Sequence, residues 1–147
     1  MNTAKYIGLK YLVNRQINHG DAVMFDIDDT LLDKETGKPF QPIIDLLHGA
    51  RRIGYKIAIL TARPDYYENQ VYTSTELRNL GILYNTLGYS PAHKKTDAKK
   101  FLNQNSRYNF VLSVGDYWTD LTDSEEWIKL PDHQDTNFHT SINIKMT

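Results

Sequence analysis

Hydrophobic positions along this chain follow two rhythms. Short unbroken apolar runs alternate with longer stretches in which apolar residues recur every three or four positions, the periods of buried strands and of one-sided helices. Residues 3–18 carry Tyr6, Leu9, Val13 and Ile17 at helical spacing and predict an amphipathic helix packed on one face. A strand follows at Ala22–Ile27, then a polar, turn-forming segment, Leu31–Gln41, centred on Glu35-Thr36-Gly37-Lys38-Pro39. Pro42 suits the first turn of a helix whose Ile43, Leu46, Leu47, Ala50 and Ile53 form an apolar stripe, with Gly54 as its stop. Tyr55–Leu60 reads as a second strand. Asp65 and Glu68, three apart, predict a capping box that opens a helix running to Leu80, closed by Gly81. Ile82–Leu87 is a weaker third strand, Thr96–Asn103 a helix, Asn109–Val114 a fourth strand and Trp127–Leu130 a fifth. The tail, residues 132–147, is polar and carries no assigned element. Strands alternating with helices predict an α/β fold, a mostly parallel sheet with helices on both faces.

Composition narrows the field without choosing a function. A chain of 147 residues is enough for one domain with its own core, here expected over residues 20–131 behind the N-terminal helix. A net charge of −1 and a pI near 6.5 do not favour strong nonspecific binding to nucleic acid or to an anionic membrane. Cysteine is absent, which removes disulfides, thiolate metal sites and cysteine nucleophiles together. The first residues lack the apolar core of a signal peptide and no apolar stretch reaches membrane-spanning length, so the expectation is a cytoplasmic protein.

The chemistry gathers where the strands end. The first apolar run closes on Asp26-Ile27-Asp28-Asp29-Thr30, and strand alternation sends Asp26 and Asp28 off the carboxyl edge of the sheet near one another. Open α/β sheets bind their ligands at that edge. Two close carboxylates repel unless a cation, a proton or a transferred electrophile lies between them, so the pair suggests a divalent metal or a nucleophile with an acid partner. The second strand delivers Thr61, whose hydroxyl can donate to an anionic oxygen, and Arg63, which precedes a proline and so should be extended over the site. Lys94 and Lys95 lie on the third connection, where a compact ammonium would offset carboxylate repulsion and hold a substrate anion. The fourth strand ends in Gly115-Asp116-Tyr117-Trp118-Thr119-Asp120, where Asp120 reaches the same centre if a helical turn begins there. An oxygen-only site of this kind points to Mg²⁺ rather than zinc. His133, Asp135 and His139 in the tail match no recurrent metal-site spacing.

These motifs, in this order, resemble the four of the haloacid dehalogenase (HAD) superfamily, the first in the D-x-D-x-T form of its phosphatases. The likeness extends to the acid-phosphatase branch. Leu60-Thr61-Ala62-Arg63-Pro64 resembles its hydrophobic-S/T-x-R-P segment, and Thr75–Gly81 is similar, with an offset, to its T-x-x-x-L-x-x-x-G stretch. Lys95-Thr96-Asp97-Ala98-Lys99 resembles K-[ST]-x-x-[RK], which favours Lys95 over Lys94. Val114–Leu121 resembles V-G-D-x-x-x-D-L, and Ile128-Lys129-Leu130-Pro131 a closing K-L-P segment.

The resemblance implies a three-layer α/β/α Rossmann-like fold and a Mg²⁺-dependent phosphomonoester hydrolase. Asp26 would be the nucleophile that becomes an aspartyl phosphate, and Asp28 the acid that protonates the leaving alcohol and then activates water. Mg²⁺ would sit on Asp26, the Asp28 carbonyl and Asp116, supported by Asp120. Thr61, Arg63 and Lys95 would bind the substrate's phosphoryl group. The gaps from Thr30 to Thr61 and from Thr61 to Lys95 leave no room for a folded cap, so Leu31–Gln41 would act as a small flap over an open site. The implied partner is a phosphorylated small molecule or the phosphorylated end of a macromolecule. Within the same fold, a nucleotide or polynucleotide 3′-phosphatase is the second reading, with Arg51, Arg52, Lys94, Lys95, Lys99 and Lys100 as phosphate contacts, although a solvated surface accounts for that charge as well. A phospho-accepting receiver-like module is a third. The motif order opposes it, because receivers place an adjacent acidic pair on the first strand and their phosphoacceptor after a later one.

Overall fold

The computed structural model describes residues 1–143, so the last residues of the polar tail lie outside the described part. Six strands form one sheet: β1 (Asp21–Phe25), β2 (Lys56–Thr61), β3 (Thr86–Tyr89), β4 (Asn109–Gly115), β5 (Glu126–Lys129) and β6 (His139–Thr140). Their order across the sheet is β3-β2-β1-β4-β5-β6. All neighbours are parallel except β6, which returns antiparallel against β5. Among the described residues four α-helices accompany them: α1 (Asn2–Asn14), α2 (Gln41–Ile53), α3 (Tyr67–Asn79) and α4 (Lys95–Ser106). Between β1 and β2 lie only α2 and its loops, and between β2 and β3 only α3 and its loops. Among the described residues no helix is long and apolar enough to cross a membrane.

β1 is buried along its whole length because it pairs on both sides and is covered on both faces, which is why it reads as an unbroken apolar run. Its side chains alternate between two cores. Val23 and Phe25 join α1, α2 and Leu77 of α3 in the larger one. Ala22 and Met24 face the smaller one with Leu102 of α4, Tyr108 and Phe110. A one-residue bulge opposite Ala22 and Val23 shifts the β4 register past Val111. The Tyr11 hydroxyl donates to the Val111 carbonyl at 3.0 Å, tying α1 to the irregular point.

Several boundaries differ from the sequence reading for physical reasons. α1 does not bury the stripe of Tyr6, Leu9, Val13 and Ile17. Its buried line is Ala4, Gly8 and Leu12, while Tyr6 and Val13 are 53% and 62% exposed and Ile17 lies past the helix end. Close packing selects the small face: a Cβ on Gly8 would stand 2.8 Å from Leu46 of α2. α3 starts at Tyr67 rather than at a capping box. Asp65 lies before it, where its carboxylate accepts from Gln70, and no side chain caps the helix. The third strand sits later than Ile82–Leu87, because Ile82 is spent closing α3 with an N–H to the Leu77 carbonyl at 3.0 Å. The tail, unassigned from sequence, supplies β6.

Candidate active site

The carboxyl ends of β1, β2 and β4 meet over one cavity of about 250 Å³. Asp26 is the first residue past β1, held in the ladder by its N–H to the Val114 carbonyl at 3.1 Å, and is 6% exposed. The chain then turns sharply. The N–H groups of Thr30 and Leu31 both reach back to the Ile27 carbonyl, and Asp29 takes a left-handed φ of 59°. Asp26 therefore faces the cluster below β4, while Asp28 lines the same cavity from another side.

Lys95 is the centre of the buried cluster. Its ammonium lies 2.9 Å from Asp26 Oδ1 and 2.6 Å from Asp120 Oδ1, and the whole residue is 1% exposed. Its neighbour Lys94 is exposed at the start of α4. Asp120 is carried by a single 3₁₀ turn, Trp118–Asp120, so the helical turn anticipated after Asp116 is present in tighter form. Its other oxygen accepts the Tyr117 N–H at 3.2 Å, so both Asp120 oxygens are engaged. Gly115 is required here by close approach: a Cβ would lie 2.3–2.7 Å from the Asp120 side chain.

Asp26, Asp116 and Asp120 each place a carboxylate oxygen within 4.8 Å of the others. Asp116 is 3% exposed, and its Oδ1 has no hydrogen-bond partner. Burial in low dielectric, with Asp120 next in weight, pushes the Asp26 pKa well above the carboxylate range. Burial likewise pushes Asp116 up to about 6. For Lys95, burial opposes the charge, but Asp26 and Asp120 outweigh it and raise its pKa. An orphaned buried oxygen beside two carboxylates, with no sulfur or imidazole among them, fits a hard divalent cation bound through oxygen. The Asp28 carboxylate does not belong to that trio.

Asp28 is instead clamped by Arg63. The guanidinium donates from Nε to Asp28 Oδ2 at 3.0 Å and from Nη2 to Asp28 Oδ1 at 2.8 Å, a bidentate fork. Its Nη1 donates to Thr73 Oγ1 at 3.0 Å, anchoring the pair to a buried residue of α3. Glu76 Oε1 stands 2.8 Å from Nη2, near enough for an ion pair but out of line for a hydrogen bond. Burial works against the Arg63 charge, but Asp28 and then Glu76 outweigh it and raise the Arg63 pKa. The neighbour expected for the Asp28 carboxylate, that of Asp26, is thus replaced by a guanidinium, and Arg63 reaches the site through a carboxylate. Thr61 is 1% exposed and accepts the Arg63 N–H at 3.1 Å; the cavity wall beside it is Ala62, Arg63 and Pro64.

Sequence reasoning passed over several residues. Lys99, expected as a phosphate contact or as solvated surface, is instead fully buried, its ammonium held by Ser113 Oγ and the carbonyls of Asp120 and Thr122. Burial drops its pKa to about 7. It fixes the turn that carries Asp120, and its place four residues after Lys95, one helical turn along α4, was the available signal. Asp29, Lys34, Tyr117 and His133 also line the cavity. His139 pairs with Asp135, away from His133.

The sequence matches the HAD superfamily, subfamily IIIB (acid phosphatase), over residues 33–135. Thr61, Arg63, Lys95, Asp116 and Asp120 fall inside that match, and Asp26 and Asp28 precede it. No curated protein matches the chain. Among solved structures, the class C acid phosphatase from Bacillus anthracis superposes with a TM-score of 0.63 at 20% identity, over 83% of this chain and 65% of that one. A chain of the Pnkp1/Rnl/Hen1 complex superposes with a TM-score of 0.54 at 21% identity, over 72% of this chain and 42% of that one. This chain thus spans less than two thirds of either, and both likenesses are of fold.

Proposed function

Since the chain belongs to the HAD superfamily, subfamily IIIB (acid phosphatase), we propose that it is a Mg²⁺-dependent phosphomonoester hydrolase working through a phosphorylated Asp26. The observation that carries this reading is the buried, partly unsatisfied cluster: Asp26 facing Lys95, with Asp116 Oδ1 unpartnered beside it. Asp26, Asp116 and Asp120 would hold the metal, which when bound offsets the negative charge of the cluster and of the phosphoryl oxygens.

The chain's own groups then divide the work. The Asp26 carboxylate attacks phosphorus, and the ester P–O bond breaks as Asp28 passes its proton to the leaving oxygen. Asp28 next takes a proton from water, the water oxygen attacks the phosphoryl group, and phosphate leaves Asp26 free. Lys95 steers one Asp26 oxygen and supplies fixed positive charge where phosphoryl charge gathers. Thr61 and Lys99 act behind it, on the Arg63 loop and the Asp120 turn. For Asp28 to serve as acid, one of its oxygens has to come free of the Arg63 fork. Splitting the reaction in two suits a bond whose uncatalysed hydrolysis needs up to ~10²¹-fold acceleration.

Rapid-quench mass spectrometry during turnover of an aryl phosphate with Mg²⁺ tests the reading. We expect one phosphate on the peptide containing Asp26, and loss of turnover with a chelator. Steady turnover with no phosphate on that peptide would overturn Asp26 as nucleophile.

A further inference from the structure

Arg63 stands between two carboxylates and satisfies one of them. Asp28 takes the fork, from Nε at 3.0 Å and from Nη2 at 2.8 Å. Glu76 Oε1 lies 2.8 Å from the same Nη2, as near as Asp28 Oδ1, yet it is buried and accepts no hydrogen bond. The geometry of the guanidinium explains the difference. Nη2 has a second N–H, but the group is flat and rigid, and with the fork closed on Asp28 that N–H misses Glu76. A buried acceptor left unmade is costly, so the fold holds Glu76 in reserve against a gradient.

The surroundings keep that reserve in reach. Glu76 follows Thr73 by three residues on α3, so both face Arg63 from one side of the helix. Thr73 Oγ1 accepts from Nη1 at 3.0 Å, a contact about which the guanidinium can turn. The Arg63 backbone is fixed separately, its N–H on Thr61 Oγ1 at 3.1 Å. The Tyr72 ring lies over the guanidinium, its centroid 6.0 Å from Cζ, and offers no competing acceptor in the plane of the group.

We propose that Glu76 is a positioning residue, the second seat of Arg63: the guanidinium turns about its Thr73 contact from Asp28 to Glu76, and Asp28 is released to act as acid and then as base. Nη2 then comes into line with an acceptor already at contact distance, and one oxygen of Asp28 is freed. A ligand shifts such an exchange only by binding one seat better. A leaving oxygen that takes its proton from Asp28 does so, because it needs the oxygen that Nη2 otherwise holds. The inference deepens the phosphatase reading and rests on it for what Asp28 does, whereas the exchange of seats is visible without turnover.

The test measures kcat/KM for an alkyl phosphate and for a nitrophenyl phosphate, whose leaving group needs little protonation. Glu76→Gln keeps the shape but removes the charge, so Arg63 stays on Asp28. We expect it to slow the alkyl ester about tenfold more than the nitrophenyl ester, the size of one charge-assisted contact. Glu76→Asp, which keeps the charge, should return most of that ratio. Equal slowing of both esters by Glu76→Gln would reduce Glu76 to a brace for the Arg63 loop, and the proposal falls. Crystal structures of the full chain with Mg²⁺ and inorganic phosphate read the seat directly. Wild type should show Arg63 hydrogen-bonded to Glu76 with one Asp28 oxygen turned to the phosphate, and Glu76→Gln should show the fork still on Asp28. An unbroken fork in phosphate-bound wild type would overturn the proposal whatever the rates. Arg63 seated on Glu76 in a protein that hydrolyses neither ester would sink the phosphatase reading and leave the exchange standing.

Discussion

One aspartate opens β1 and another follows directly on its last residue, and the two meet opposite fates. Asp21, at the amino end, is as buried as Asp26. Its carboxylate accepts from the Asn18 N–H at 2.8 Å, from Arg15 Nη1 at 2.8 Å and from Asn109 Nδ2 at 3.1 Å. Burial raises its pKa, but the Asn18 N–H and then Arg15 and Asn109 outweigh it and hold it below the carboxylate range. Asp26 has one cation, shared with Asp120, and two carboxylates around it, and its pKa moves the other way. The fold satisfies the first charge completely and leaves the second dependent on something it does not itself supply. That contrast separates an aspartate that holds the structure together from one held ready for chemistry.

The same substitution at both ends should dissociate the two roles. Asp26→Asn is expected to cut turnover by on the order of 10⁴-fold or more, as loss of a nucleophile does, measured as initial rates on an aryl phosphate. Comparable rates in this variant would put both aspartates in one class. Gly115→Ala comes next. The added methyl displaces Asp120, and with it Lys95, so activity should fall about 10²-fold, as misplacement near the reacting atoms does, in a protein that still melts cooperatively. Asp21→Asn should leave turnover within about twofold at temperatures where the variant is folded, while costing roughly 1–3 kcal/mol in urea unfolding. Its pH dependence has a fixed sign. Because Asp21's folded pKa lies below its unfolded value of about 3.9, its stabilisation is complete above that pH and is lost as pH falls through the folded pKa. The difference between wild type and variant should therefore be flat from pH 5 to 8 (roughly) and shrink in acid. The smallest effect on stability is expected from Asp116→Asn, which removes a buried carboxylate whose Oδ1 has no hydrogen-bond partner. Chelator-treated variant should be more stable than chelator-treated wild type by about 1 kcal/mol, and should lose the rise in Tm that Mg²⁺ gives wild type.

The sheet was legible from sequence because buried parallel strands are unbroken apolar runs, and their ends are where Asp26, Thr61, Lys95 and Asp116 were sought. The helices were less so. α1 offers a large apolar stripe and a small one, and only its partner α2 decides that the small one goes inside. Asp65 carries capping chemistry, but Pro64 and the Arg63 fork delay the helix beyond its reach. Lys99 allowed a surface reading because lysine usually is exposed; three oxygens from distant segments account for its burial, and its spacing from Lys95 was the one local sign of it. Lys34, Tyr117 and His133 converge through loop closure alone, which leaves no periodic trace.

β6 gives the tail a further consequence. Without it, the outer side of β5 would present unpaired N–H and carbonyl groups along Glu126-Trp127-Ile128-Lys129, a template for adding a strand from another molecule. Thr140 and His139 occupy that ladder opposite Ile128 and Lys129, and the Ser141 N–H takes the Trp127 carbonyl at 3.1 Å. The blocking residues lie beyond residues 33–135, the stretch that matches the family. Cutting the tail after Pro131 would leave a sticky border beside an otherwise intact sheet.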